Sequence, residues 1–391
     1  MNERCGNPKH ETRKPSQVCS FDRADALIRL KCELLTQGLP PSSLEGLPAK
    51  SPIRARSGVS GGLDLRLPFD VFVNAPVHEP FCAKSPFRVE WSGLSGRLMR
   101  GDASLETIDA LPAPSYYARQ TADGSESMAR IGQMCSPDRF CYGMTGPGCA
   151  YWRRDWRCGF CSIGANYNAD AARKRADHFL EVLEAALSEE HYPARHVLLG
   201  GGTPLGDDMG ARLASDLCRK LKLRFPSLPV YVMIAAPQDD HFIDQLAEAG
   251  VDELGLNLEF WSEDAWARYI PGKREVIGKE RTLAALEYSV RVFGPVRTRT
   301  IFVAGLEPLG QTIAGVDAVS SLGVMPILSP FRPLAGTLLA DTSGPPADEY
   351  ADLFWQSRSI TERHGVPLGP TCVFCQNNTL ALPFGPEYRR Y

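Results

Sequence analysis

The sequence lacks any stretch approaching the ~18 consecutive apolar residues that a membrane-spanning helix requires. None is therefore expected in this chain. It also lacks an excess of one charge. Its 46 acidic and 43 basic residues leave a net −3, which argues against a broad basic surface for nucleic acid, although a local patch stays open. Met1 to Gln17 is polar, with no apolar segment of the kind a secretory signal carries. Without such a signal, twelve cysteines point to a reducing, cytoplasmic setting and to metal or redox use rather than a disulfide framework. The rest is ordinary. With 43% hydrophobic and 23% charged residues, the chain reads as a soluble globular protein. Its 391 residues suffice for one large domain with extensions, or for two domains.

Residues 1–22 are polar and aperiodic, and read as a disordered tail containing Cys5 and Cys19. Residues 23–124 form an N-terminal α+β extension. It opens with a helix over Phe21 to Leu35, then a Pro-, Ser- and Gly-rich loop over Leu39 to Gly62. Short β-prone runs follow, at Leu63–Leu67, Val71–Val73 and Phe87–Trp91. His78 and Cys82 lie between two of them, in a turn. Residues 125–365 alternate strand and helix. The strands are placed at Met128–Met134, His196–Leu199, Val230–Ala235, Glu253–Leu258, Arg297–Ala304 and Val324–Leu328. Alternation of this kind predicts a parallel sheet with helical crossovers. The span of 241 residues is near the ~250 of a full (β/α)8 barrel, yet holds only six units. The fold class expected is therefore α/β, a partial (β/α)6 TIM-like barrel. A C-terminal segment, 366–391, carries Cys372-Val-Phe-Cys375.

The stretch Cys149 to Cys161 places Cys149, Cys158 and Cys161 in one loop, spaced C-x8-C-x2-C. Thiolates are soft ligands for zinc, copper(I) or iron–sulfur clusters. A structural zinc site takes four closed ligands, and an electron-transfer 4Fe–4S cluster normally takes four cysteines. Three would leave one iron open to a substrate or cofactor. A zinc knuckle and a buried thiol cluster are the alternatives.

This loop resembles that of the radical S-adenosylmethionine (radical SAM) superfamily. The usual spacing there is C-x3-C-x-aromatic-C. Cys158-Gly159-Phe160-Cys161 keeps the second half, with its aromatic Phe160, and the first gap is eight residues instead of three. Doubling a closed loop costs only ~0.6 kcal/mol, against metal-site binding energies on the order of ten kcal/mol. The spacing and the C-terminal cysteines are also similar to those of an uncharacterised radical SAM family encoded near nitrilase genes. The resemblance covers about residues 125–340, and the superfamily's six-unit partial barrel agrees with the alternation of elements.

The resemblance implies further residues. Gly201-Gly202-Thr203-Pro204 follows the second barrel strand, 40 residues after Cys161, and resembles the superfamily's Gly-Gly-Glu-Pro-type motif for the amino group of S-adenosylmethionine. Asn257 and Glu259 end the fourth strand with period-two spacing, on one face. In similar enzymes polar residues there contact the cofactor's ribose and methionine. Arg268, Lys273 and Arg274 follow, and Arg274 is the choice for the methionine carboxylate. Gly305, at the end of strand five, resembles a backbone contact to adenine. Ser329 to Leu339 resembles the corresponding segment of biotin synthase. Arg332 within it is either a surface arginine or a bidentate grip on a substrate anion.

Cys372 and Cys375 alone close neither a zinc site nor a cluster. They need partners such as His364, Cys135, Cys141 or a substrate. An auxiliary iron–sulfur cluster, a zinc site and redox thiols all stay open. The implied cofactors are a 4Fe–4S cluster on Cys149, Cys158 and Cys161, S-adenosylmethionine, and a second iron–sulfur cluster. The implied reaction is reductive cleavage to a 5′-deoxyadenosyl radical, which takes hydrogen from a small-molecule substrate. The electron would come from a low-potential donor such as flavodoxin or ferredoxin. A radical enzyme acting on tRNA or peptide, and a non-catalytic metal-binding protein, are the competing readings.

Overall fold

The computed structural model describes residues 19–48, 61–154, 156–166, 171 and 173–391. The tail up to residue 18, with Cys5, and residues 49–60 of the Pro-, Ser- and Gly-rich loop lie outside the described residues. Helix α1 is Phe21–Gln37, so ordered chain begins inside the stretch expected to be disordered. The Ser20 side chain caps it by accepting from the Arg23 N–H. Gly38, at φ 64°, ends it. A stripe including Leu27, Ile28, Leu34 and Leu35 is buried.

The N-terminal sheet has five strands: β1 (Leu63–Leu67), β2 (Val71–Ala75), β3 (Phe87–Ser92), β4 (Ser95–Arg100) and β5 (Ala103–Ala110). They are antiparallel, in the order β2-β1-β5-β4-β3. β4 and β5 extend the sheet beyond the runs legible in the sequence, because their alternation is broken by a register shift at Leu98/Met99.

The second sheet is the partial barrel. After the one-turn helix α2 (Met128–Ile131) come β6 (Gln133–Ser136) and β7 (Arg139–Gly143), then α3 (Ala176–Leu187), β8 (His196–Gly200), α4 (Ala211–Arg224) and β9 (Val230–Ile234). The chain continues through α5 (His241–Glu248), β10 (Glu253–Leu256), α6 (Glu263–Tyr269), α7 (Pro271–Val276), α8 (Lys279–Phe293), β11 (Thr298–Ala304), α9 (Leu309–Ser321), β12 (Met325–Pro330) and α10 (Ala347–His364). The order is β12-β11-β10-β9-β8-β7-β6. β7 to β12 run parallel, and β6 is an antiparallel edge. The central strands are buried on both faces, as in β8 and β10, and so read as short apolar runs behind a polar first residue, His196 or Glu253. The six-unit partial barrel expected from the alternation is thus present.

The first strand needs correction. Met128 to Met134 is not the strand that leads into the cysteine loop; that strand is β7. Met128 and Ile131, three apart, bury one face of α2 instead. Pro137 and Asp138 then turn the chain between β6 and β7, with Ser136 opposite Arg139. In β7, Phe140 and Tyr142 are buried while the alternate residues are half-buried.

The barrel does not close on itself. The C-terminal segment crosses between its edges. Gly369 N–H donates to Pro326 O and Leu380 N–H to Leu328 O on β12, while the Asn377 side chain donates to Cys135 O on β6. The buried Lys31 Nζ on α1 holds the same segment by donating to Gln376 O and Ala381 O, each at 2.7 Å. The α1 helix also packs on α10, where Arg29 pairs with Asp348 and Asp352. Among the described residues no helix is long and apolar enough to cross a membrane.

Candidate functional site

In parallel barrels, sites form where the strands end. The cysteine loop follows β7 and is stitched to the loop after β8. Met144 N–H donates to Gly200 O at 2.7 Å, Gly202 N–H to Thr145 Oγ1 at 3.0 Å, and Ala150 N–H to Thr203 O at 2.8 Å. Gly201 has φ +135°, where side chains are strained. A Cβ on Gly202 would stand 2.1 Å from Gly148 O and 2.7 Å from Cys149 Cβ. The glycine pair therefore lies directly against Cys149. Beside it opens a cavity of about 220 Å³, lined by Ala150, Tyr151, Pro204, Leu205 and Met209 among others.

The other two cysteines are held from the opposite side. Cys161 N–H donates to Cys158 O, Gly159 N–H to Tyr269 O, and Gly272 N–H to Trp156 O, so this turn docks on α6 and α7. Phe160 packs on Phe260, which packs on Tyr269. Cys149, Cys158 and Cys161 lie within electrostatic reach of one another. Burial raises the Cys158 and Cys161 pKa values above the ordinary thiol value.

A charged pair faces them. Lys273 Nζ contacts Glu259 Oε1 at 2.6 Å, with both side chains largely buried. Burial works against the Lys273 charge, but Glu259 and the Cys158 sulfur hold its pKa above the ordinary value. Glu259 has φ 66°, a left-handed conformation that costs a non-glycine residue about 1–3 kcal/mol. Nearby in sequence, Asn257 Oδ1 is buried without a hydrogen-bond donor among the described residues, an acceptor of the kind that ordinarily finds a partner.

The remaining candidates are placed as follows. Arg274 is exposed on α7, while its neighbour Lys273 turns inward. Gly305 has φ +98°, and a Cβ there would meet the Tyr350 hydroxyl at 2.1 Å. Arg332 is 3% exposed just past β12. One of its Nη atoms donates to Asn378 at 3.4 Å, and its Nε has no acceptor among the described residues. Burial pulls its pKa down to about 10.

Cys372 and Cys375 are elsewhere. They meet Asp138 and His196, not the expected partners. His364 instead bonds Asp317 at 2.8 Å. Cys135 receives the Arg139 Nε–H at 3.1 Å and, like Cys141, lies in a small cluster with Leu198 and Tyr231. Asp138 precedes β7 and His196 begins β8. The group therefore lies at the N-terminal end of the strands, four residue steps from the end that carries Cys149, or about 13 Å. Asp138 was hidden by the misplaced first strand, and His196 read only as the start of a strand.

Residues 146–312 match the sequence profile described as the radical SAM superfamily. This span runs from just before Cys149 through Gly201, Glu259 and Gly305. Over this span, a little under half of the chain, the sequence is similar to the radical SAM superfamily. A curated relative, bacteriochlorophyllide c C-7(1)-hydroxylase of Chlorobaculum limnaeum, is 32% identical over 113 residues, 29% of this chain and 28% of its own length. The chain thus matches little more than a quarter of that protein. Among solved structures, methylornithine synthase is 15% identical, covers 65% of this chain and 79% of its own, and has a TM-score of 0.43. A radical S-adenosylmethionine methyltransferase from Kitasatospora setae is 18% identical, covers 61% and 43%, and has a TM-score of 0.35.

Proposed function

We propose that this protein is a radical SAM enzyme in which Cys149, Cys158 and Cys161 hold a 4Fe–4S cluster with one iron left for S-adenosylmethionine. The observation that carries the reading is three thiols within electrostatic reach of one another, beside a glycine edge at the mouth of a partial barrel. Held by Cys149, Cys158 and Cys161, such a cluster would supply one-electron reductive cleavage of S-adenosylmethionine to a 5′-deoxyadenosyl radical able to take hydrogen from a substrate, with the electron from a low-potential donor such as flavodoxin or ferredoxin.

The chain's own residues fit that cofactor. The open backbone at Gly201 and Gly202 lets the methionine amino group lie beside Cys149. The orphaned Asn257 Oδ1 accepts from a ribose hydroxyl. Lys273 acts electrostatically on Cys158 and Cys161, and it offsets charge that burial would otherwise disfavour. Glu259 fixes Lys273 in place. The cavity lined by Tyr151, Pro204 and Met209 excludes water from one side of the cofactor. The substrate is a small molecule with an anionic group. Arg332, buried with an unused N–H, grips that group.

Anaerobic reconstitution tests the reading. Iron and sulfide near four per chain, with 5′-deoxyadenosine formed on reduction, are expected. Both are expected to vanish in Cys149→Ala, Cys158→Ala and Cys161→Ala. Stable zinc in this loop without cleavage of S-adenosylmethionine would overturn it.

A further inference from the structure

Four side chains from three separate segments meet at the end of the barrel away from the cysteine loop. Asp138 comes from the β6–β7 turn, His196 from the first position of β8, and Cys372 and Cys375 from the C-terminal segment. All four are at most 4% exposed. His196 Nε2 lies 3.4 Å from Cys375 Sγ, 3.7 Å from Cys372 Sγ and 3.3 Å from Asp138 Oδ1, and Cys372 Sγ lies 3.5 Å from that same oxygen. A tetrahedron of ligands at zinc bond lengths, 2.0–2.3 Å, has edges of about 3.3–3.8 Å. The side chains therefore already stand at the corners of a mononuclear site.

We propose that Asp138, His196, Cys372 and Cys375 bind one zinc ion, whose role is to fasten the C-terminal segment to the foot of the barrel. The donor set argues for zinc over a second cluster. Half the donors are nitrogen and oxygen, whereas clusters are held by thiolates with, at most, histidine substitution. All the donor atoms lie within 4.8 Å of one another, which leaves room for one ion but not for several irons with bridging sulfides. Zinc with four protein ligands is closed, and closed sites are structural.

The surroundings fit a divalent ion. Two thiolates and a carboxylate exceed its charge by one, and Arg139, placed to attract both sulfurs, supplies the balance. The Cys375 N–H points at Cys372 Sγ, 3.4 Å away, and the Ser136 hydroxyl is 3.4 Å from Cys375 Sγ. The ring of Tyr391 stacks on His196 at 4.2 Å and 21°, fixing its orientation. The fastened segment is the one that spans β12 and β6, so a single ion ties both edges of the open barrel. Asp138 and His196 are not among the residues assigned to the radical site, which lies at the opposite end of β7 and β8.

Metal analysis of the full-length protein, purified without added metal, is the test. About one zinc per chain is expected, and it stays when Cys149, Cys158 and Cys161 are all changed to Ser. In Cys372→Ser combined with Cys375→Ser, zinc falls at least tenfold. Should that variant fail to fold, the wild-type protein decides the matter. Cobalt substitution is then expected to give tetrahedral d–d bands with a thiolate-to-cobalt charge-transfer band, and Asp138→Asn is expected to shift them. Sub-stoichiometric zinc in the wild type overturns the proposal. So does zinc that leaves with the three loop cysteines, or additional iron and sulfide held by Cys372 and Cys375. Because the readout is zinc and not cleavage of S-adenosylmethionine, failure here is distinguishable from failure of the radical reading.

Discussion

Gly202→Ala isolates the part of the structure on which the radical site rests. The new methyl carbon would begin 2.1 Å from Gly148 O and 2.7 Å from Cys149 Cβ. Non-bonded Cβ contacts essentially never fall below 3.0 Å, so the loop carrying Cys149 must retreat by about 0.9 Å. Neither neighbour is the end of a flexible side chain. The oxygen is backbone, and the carbon belongs to the proposed iron ligand. Overpacking of this kind costs about 1–3 kcal/mol, which a large domain survives. A displacement near 1 Å at a reacting site costs on the order of a hundredfold in rate. The expected outcome is a folded protein with a modest drop in Tm, reduced iron after anaerobic reconstitution, and about a hundredfold less 5′-deoxyadenosine per unit time. Two other glycine substitutions serve as controls. Gly200→Ala places its Cβ 3.5 Å from Met233, an ordinary contact, and Gly310→Ala in α9 meets nothing within 4 Å. Both should behave as wild type, and Gly310→Ala should gain about 0.5–1 kcal/mol of stability. Gly202→Ala with wild-type iron content and cleavage would refute the argument that Gly202 exists to admit the cysteine loop.

Further substitutions probe the charges. Lys273→Met leaves Glu259 buried beside the loop sulfurs with no cation; a loss of about 3–5 kcal/mol in unfolding free energy and weaker cluster assembly are expected, and rescue by Glu259→Gln in the same chain would show in denaturant melts. Lys31 provides a pH signature: burial lowers its pKa to about 7 from the ordinary 10.5. Between those values the unfolded chain carries a proton that the folded chain lacks, so Lys31 makes stability climb as pH rises from about 7 to about 10.5 and lose that gain as pH falls. The difference between wild type and Lys31→Met in unfolding free energy should show this slope, and parallel curves would contradict it. Arg332→Met removes a buried cation with an orphaned N–H, so the substrate-free protein should become more stable by about 1 kcal/mol; a fall of several kcal/mol would mark Arg332 as structural instead.

The barrel was legible because both of its signals are local. Strands such as Val230–Ile234 are apolar runs, Thr298–Ala304 ends in one at Ile301–Ala304, and helices such as Ala211–Arg224 repeat their apolar residues with period 3.6. The cysteine loop was legible because its three thiols sit within thirteen residues of one another. The first strand was misplaced because Met128–Met134 is an apolar stretch too short for periodicity to separate a strand from one turn of helix. The inward turn of Lys273 in place of Arg274 was not legible either. One residue on a short helix rotates a side chain by about 100°, and only the packing of α7 against the loop decides which of two adjacent cations enters the site.

From the order of residues alone came the six-unit barrel, the three-thiol loop and the glycine edge that follows the second of its strands, since each depends on neighbours a few positions apart. Tertiary structure decided the rest. It carried Cys372 and Cys375 away from the mouth and to the foot of the barrel, where Asp138 and His196 wait 234 and 179 residues distant in sequence. No spacing rule reaches across such separations. The partnership is set by which strand ends the sheet brings together and by where the C-terminal segment must lie to cover its open edges.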